Sequence, residues 1–331
     1  MPFSNLNVKK YKSSLGRMTT CNHDITLWDA ALAGLSTQGS PYQTTFLLTC
    51  FLTVLVFFVS TITGNYSQVD KLWSIVPVLY AWIPVCDERT LAMAIVVTIW
   101  GVRLTYNFGR RGGYAWPPWD GDEDYRWAVL RSGKLLSVLT RPVPWMLFNL
   151  GFISFYQNLL LFLMVTPSLV AYSVATNCGP APRLGPTDFV AMALVLFFVG
   201  LESEADNQQL SFQTEKHRRR REGAGLEGEY ADGFTQKGLF AVVRKPNYAA
   251  EQAVWISYYL FSVAATEKHF WNWSAVGWIA IVLLFQGSGW FTETISREKY
   301  PKYEEYRSRV PLYVPNIWYG LKVALGKAKE S

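Results

Sequence analysis

Apolar residues in this chain fall in long blocks rather than at the scattered spacing of a soluble amphipathic fold. Runs of about 17–25 mostly apolar residues, enough to cross roughly 30 Å of hydrocarbon, recur along it. The candidate spans are 46–63, 72–86, 90–107, 144–166, 188–204, 249–266 and 273–292. The second is short and contains Pro77 and Pro84, so it reads as a re-entrant or broken helix, a break that neighbouring helices can satisfy. The pattern predicts an all-α integral membrane protein, a bundle of about seven transmembrane helices. A flexible polar head (1–40) precedes the membrane domain (41–315), and a basic tail (316–331) follows it. The head has no early apolar core, so no cleavable signal peptide is expected and the first span directs insertion.

Charge adds an orientation. Lys and Arg concentrate in the loops 108–143 and 205–248 and in the segment after 294, whereas positions 18–70 carry none. An even number of spans separates the three basic segments, so the positive-inside rule places them together in the cytoplasm and the head outside. The formal net charge of +6 invites a nucleic-acid partner, but basic residues that alternate with apolar blocks fit membrane loops instead. Cys21, Cys50, Cys86 and Cys178 show no metal-type spacing, and His23, His217 and His269 are far apart. Neither a disulfide framework nor a metal site is expected.

Several polar stripes run at helical spacing. Asn247, Glu251, Trp255 and Tyr258 share one face of the sixth span. A carboxylate there needs a partner or a wet cavity. Glu202, Asp206 and Gln209 align at the end of the fifth span, suited to gripping ribose hydroxyls or a carboxamide, or to a solvated helix end. Arg103, Asn107, Arg110 and Tyr114 align at the end of the third, where guanidinium forks match phosphate oxygens or simply anchor the helix at the interface. Gln286, Trp290, Glu293 and Arg297 form a stripe on the seventh, in which Glu293 and Arg297 also read as local helix support. Gly223-Ala-Gly225-Leu-Glu-Gly228 matches GxGxxG but follows a run of arginines rather than a strand, so a dinucleotide-fold reading is rejected. Those arginines suit anionic headgroups or solvent.

The stretch Gly238-Leu-Phe-Ala-Val-Val-Arg-Lys-Pro-Asn-Tyr-Ala-Ala-Glu251 resembles the G-L-F-x-x-x-R-H-P-N-Y-x-x-E signature of the steroid 5α-reductase-like membrane family, whose superfamily includes sterol reductases and isoprenylcysteine methyltransferase-type enzymes. Supporting matches are Asp70-Lys-Leu-Trp-Ser74, Arg103-Leu-Thr-Tyr-Asn107, Asp124-Tyr-Arg126, Glu202 through Asp206 to Gln209, and Lys299-Tyr-Pro-Lys-Tyr-Glu-Glu-Tyr306. The resemblance covers roughly residues 65–315. It implies a seven-helix bundle in the endoplasmic reticulum membrane, with NADPH in a cavity open to the cytoplasm and a lipophilic substrate reduced at a C=C bond. By carry-over it implies that Asp206, Asn247 and Arg244 help hold the cofactor; with the polar stripes, the candidate cofactor shell is Arg103, Asn107, Arg110, Asp206, Gln209, Arg244, Asn247, Tyr248 and Arg297. Glu251 would orient that shell, and Asp70 and Tyr106 would stand in for the substrate-polarising acid and tyrosine. Lys245 occupies the position where the signature has histidine, so no histidine role transfers there.

The expected function is therefore an NADPH-dependent reduction of an enone or enoyl lipid. The alternatives are an S-adenosylmethionine-dependent lipid methyltransferase and a non-catalytic lipid-binding membrane protein. Arginines at 103, 110 and 244 favour a cofactor with phosphates, which S-adenosylmethionine lacks.

Overall fold

The structure is a computed structural model that describes residues 23–177, 184–267 and 270–315. The described residues are all-helical, with no strand among them. Part of the expected polar head is a helix, α1 (His23–Ser36); residues 1–22 and the tail 316–331 lie outside the described residues.

Local chemistry sets where each long helix begins and ends. The Ser40 hydroxyl accepts the Gln43 N–H and Pro41 takes the first turn of α2 (Pro41–Thr63), which ends on Gly64 at φ 70°. After the five-residue α3 (Gln68–Leu72) the chain turns into α4 (Val76–Trp82). The expected second span is thus broken, as its prolines suggested. Its residues nonetheless run antiparallel beside α5 (Glu88–Gly109): Ser74 bonds Thr105, Trp82 bonds Thr98 and the Cys86 N–H bonds Thr90. Asp87 and Thr90 form a reciprocal capping box at the start of α5. Gly101 permits the contact with the broken segment, because a Cβ there would lie 2.6 Å from the Ser74 carbonyl oxygen.

A short α6 (Tyr125–Arg131) leads to α7 (Pro142–Asn177), which is longer than expected and passes through a π-helical stretch at Asn149–Tyr156. α8 (Pro186–Arg221) has an apolar first half and then continues as a charged helix for several turns past Glu204, where the span was expected to stop. α9 (Pro246–Thr266), α10 (Ala275–Lys299) and α11 (Tyr303–Arg309) complete the chain. The sequence 222–228 with its glycines is a turn and loop after α8, in line with the rejected dinucleotide motif.

Among the described residues four helices, α2, α5, α7 and α10, are long and apolar enough to cross a bilayer, so the chain is an integral membrane protein. α9 is shielded inside the bundle, where it carries Gln252, Ser257 and Ser262 as buried polar residues that lower its hydropathy. It packs most closely on α8 and also on α7 and α10. Where α10 crosses α7, a Cβ on Gly277 would lie 2.1 Å from the Leu163 carbonyl, so only glycine allows that approach. At one end of the bundle the buried Arg89 guanidinium grips Asp188 through two bonds of 2.8 and 2.9 Å, tying the start of α5 to the start of α8. At the other end, the chain 65–71 is bonded to the loop 118–124 through Asn65, Tyr66, Ser67 and Lys71.

Candidate functional site

That second end holds a cavity of about 580 Å³, a size ordinary for a cofactor or ligand site. α5, α8 and α9 supply one wall. Residues one or two helical turns apart on each helix point the same way, so Leu104 and Asn107, Glu202 and Asp206, and Asn247 and Glu251 face a common space.

Asp206 is the hub of this wall. Its Oδ2 accepts from Arg103 NH1 at 2.8 Å and from Asn107 Nδ2 at 2.6 Å, and its Oδ1 accepts from Arg111 NH2 at 3.1 Å. Asn247 Nδ2 reaches Oδ1 only at 3.5 Å. Arg103 also pairs with Glu202, whose buried Oε2 receives no donor from the protein. Glu251 is held from two helices: Trp100 Nε1 donates to Oε2 at 2.8 Å and Trp255 Nε1 to Oε1 at 2.9 Å. The two indoles meet edge to face at 4.9 Å between ring centres.

The opposite wall comes from the broken segment, the loop before α6, α7 and α10. Arg126 makes a two-pronged pair with Asp124 at 2.9 Å, and Trp127 Nε1 donates to Asp70 at 3.2 Å. Burial opposes the Arg126 charge, but Asp124, Tyr248 and Asp70 together outweigh this and raise its pKa above the ordinary value. Burial also raises the Asp70 carboxyl, against the pull of Arg126. The remainder is apolar. Phe148, Phe152 and Tyr156 stack in a ladder along α7, at 5.1 and 5.3 Å between ring centres, facing Leu283, Leu284 and Phe291 of α10.

Of the residues singled out in the sequence, Asp70, Asn107, Asp206, Asn247, Tyr248 and Glu251 all line this one cavity. Arg103 stands behind the wall, engaged by Glu202 and Asp206. Arg110 bonds Asn107 and Asn207, and Gln209 lies part-buried outside the lining. Arg244 is committed elsewhere: it pairs with Glu293 at 2.8 Å and donates to the carbonyls of Arg307 and Val310, fastening α9 to the C-terminal segment. Arg297 pairs with Glu304, and Tyr106 is 69% exposed on the outside of α5.

Arg111, Asp124, Arg126, Gln157 and Glu202 line the cavity but had not been chosen as site residues. Asp124 and Arg126 lay in a family-like tripeptide and Glu202 in a polar stripe, so a signal existed for them. Arg111 sits in a loop, where no periodicity marks it. Among the described residues no cluster of His, Cys, Asp and Glu is placed to hold a metal.

The family described as a protein of unknown function, DUF1295, matches residues 56–310. A protein of Schizosaccharomyces pombe, described as uncharacterized, is 34% identical over 292 residues, which cover 84% of this chain and 80% of the yeast protein. No solved structure matches the chain. The chain belongs to the DUF1295 family, which lies in the steroid 5α-reductase-like group.

Proposed function

We propose that this member of the DUF1295 family is an NADPH-dependent reductase of a C=C bond in a lipid or steroid-like substrate. The observation that carries the reading is a single cavity that is polar and charged on one side and lined by stacked aromatics and leucines on the other. Such a cavity suits a charged nucleotide beside a lipophilic substrate. The residues present fit the cofactor. Arg111 and Arg126 each present a guanidinium at the wall, suited to phosphate oxygens. Asn107 and Asn247 offer amides, and the donor-less Glu202 Oε2 suits a carboxamide N–H. When bound, the reduced nicotinamide supplies a hydride. The chain's own work is to orient both reactants and exclude water, which provides much of the acceleration. Asp70, whose carboxyl burial pushes above its ordinary value, lines the cavity where it would polarise a carbonyl conjugated with the double bond.

One observation favours a methyltransferase instead. Carboxylates in and behind the walls (Asp70, Asp124, Glu202, Asp206, Glu251) outnumber the guanidiniums of Arg103, Arg111 and Arg126, an excess that suits the sulfonium cation of S-adenosylmethionine. Titrating NADPH, NADH and S-adenosylmethionine against the detergent-purified protein separates the readings. NADPH is expected to bind most tightly; equal affinity for NADH, or binding of S-adenosylmethionine alone, overturns the reductase.

The same reading takes the bundle as seven crossings in the endoplasmic reticulum membrane, with the cavity end in the cytoplasm. The antiparallel pairing of 74–86 with α5 supports counting the broken segment as a crossing. The contacts that Asp206 makes with Asn107, Arg111 and Asn247 support placing the basic loops on one side. Single cysteines near 125 and 225 should label from the same side of sealed vesicles. Labelling from opposite sides sinks the topology.

A further inference from the structure

Gln157 carries a buried amide that the protein leaves unbonded. The residue is 4% exposed and lines the cavity, and its side chain makes no hydrogen bond among the described residues. The neighbouring amides of α7 do find acceptors. Asn149 Nδ2 donates to the Thr61 hydroxyl at 3.1 Å, and Asn158 Nδ2 to the Ser154 carbonyl at 2.8 Å. Inside a membrane bundle an amide withdrawn from water and left unbonded is costly. A bound molecule at the cavity face can supply the missing partner.

Its place along the cavity says which part of a ligand it meets. The π-helical stretch Asn149–Tyr156 ends at the residue before Gln157. A turn closed by i→i+5 bonds holds more residues than an α-turn, so side chains four apart lie more nearly above one another. The rings of Phe148, Phe152 and Tyr156 accordingly stack with only 21° and 11° between successive planes. Asn149 ties this stretch to α2, accepting from Ser60 and donating to Thr61, which fixes the ladder as a wall. At one end of the ladder Phe148 packs on Trp127, whose indole N–H donates to Asp70. At the other end stands Gln157, next to Tyr156, whose hydroxyl also has no partner among the described residues. The apolar wall therefore has a carboxyl at one end and an unbonded amide at the other, with ring spacings of 5.1 and 5.3 Å between them.

We propose that Gln157 anchors a polar group at the far end of the lipophilic ligand, a hydroxyl or carbonyl held by a rigid apolar body away from the group that meets Asp70. A side-chain amide both donates and accepts, so it takes either oxygen function. The bare end of an acyl chain offers it nothing and would seal the amide away unbonded. The ligand is thus an oxygenated lipid with two polar ends, and Gln157 selects for the second. That the first end lies at Asp70 rests on the reductase reading; the Gln157 subsite does not.

Two probes test this: androstenedione, a tetracyclic enone with a second carbonyl at its far end, and the same enone without that carbonyl. Quenching of tryptophan fluorescence measures the binding of each to the detergent-purified protein, with NADP+ present so that no turnover occurs. The parent should bind the two-ended probe about tenfold more tightly, the effect of one hydrogen bond. Gln157→Leu should bind both probes alike. It removes no bond within the protein, so its melting temperature without ligand should not fall. Gln157→Met, unbranched like the parent, replaces it where the branched side chain fails to pack. Equal affinity of the parent for the two probes, binding of neither, or a preference that survives the substitution overturns the proposal. A lowered melting temperature in both variants also overturns it, because the amide then serves the fold. Weakened NADPH binding with the probe preference intact assigns Gln157 to the cofactor instead and overturns it as well. Absence of NADPH binding to the parent removes the reductase reading and leaves the comparison of the two probes to decide the subsite.

Discussion

Trp100 of α5 and Glu251 of α9 lie 151 residues apart in sequence and meet at 2.8 Å, indole N–H to carboxylate oxygen. Both are almost fully buried, so the bond fixes the spacing of two helices and the position of a cavity carboxyl together. Trp100→Phe keeps most of the ring's volume but leaves that oxygen without its donor. The expected loss is about 1–3 kcal/mol, the usual range for an orphaned buried acceptor. Thermal unfolding in detergent measures it; an unchanged midpoint contradicts the role.

Asn247 separates cofactor binding from helix capping. It sits in the first turn of α9, yet its side chain makes only a 3.5 Å contact with Asp206 and caps no backbone group. Asn247→Ala should leave the unfolding midpoint within a few degrees of the parent and weaken NADPH binding by about tenfold or more, the equivalent of one lost hydrogen bond of about 1.4 kcal/mol. Normal binding, or loss only through unfolding, places the cofactor elsewhere.

Arg244 behaves oppositely. Its guanidinium neutralises buried Glu293, to which Tyr303 also donates at 2.5 Å. Arg244→Gln removes the nearest cation from that carboxylate and leaves it Tyr303 and, at 3.7 Å, Arg307, a loss of about 1–3 kcal/mol. The protein that still folds should bind NADPH with the parent's affinity. A folded variant with weakened binding would return Arg244 to the cofactor shell.

Asp70 makes stability depend on pH. Burial raises its folded carboxyl above the ordinary value of about 3.9. Between those two values the folded state holds more protons than the unfolded chain, so this contribution is fully present below about pH 4 and is lost as pH rises toward the folded value. Asp70→Asn mimics the neutral form at every pH. Its melting temperature should exceed the parent's at neutral pH and approach it near pH 4. A difference that is constant with pH contradicts the shift.

Much of the site was legible as helix faces. The pairs Arg103 and Asn107, Glu202 and Asp206, and Asn247 and Glu251 stand at intervals of four, and each stripe does turn toward α5, α8 or α9 neighbours. The destination of the arginines was not legible. Arg103, Arg110 and Arg244 looked alike in the sequence as phosphate ligands, yet each is already engaged by a carboxylate or an amide from a distant segment. Arg111 and Arg126, outside the long helices, take the cavity wall instead.

The helical blocks, their breaks at proline and their caps follow from the sequence, because hydropathy and capping depend on residues within a few turns of one another. The apolar pattern marks 249–266 as a span, but only the packing shows α9 inside the bundle, where Gln252 accepts from Gln286 of α10 and Tyr258 meets Ser168 of α7. The meeting of Asp206 with Arg103, Asn107 and Asn247, and the indole bond from Trp100 to Glu251, arise only when α5, α8 and α9 are packed together. Periodicity names the face of a helix, but the partner across that face is chosen by geometry between segments about a hundred residues apart, and charge balance is settled only there.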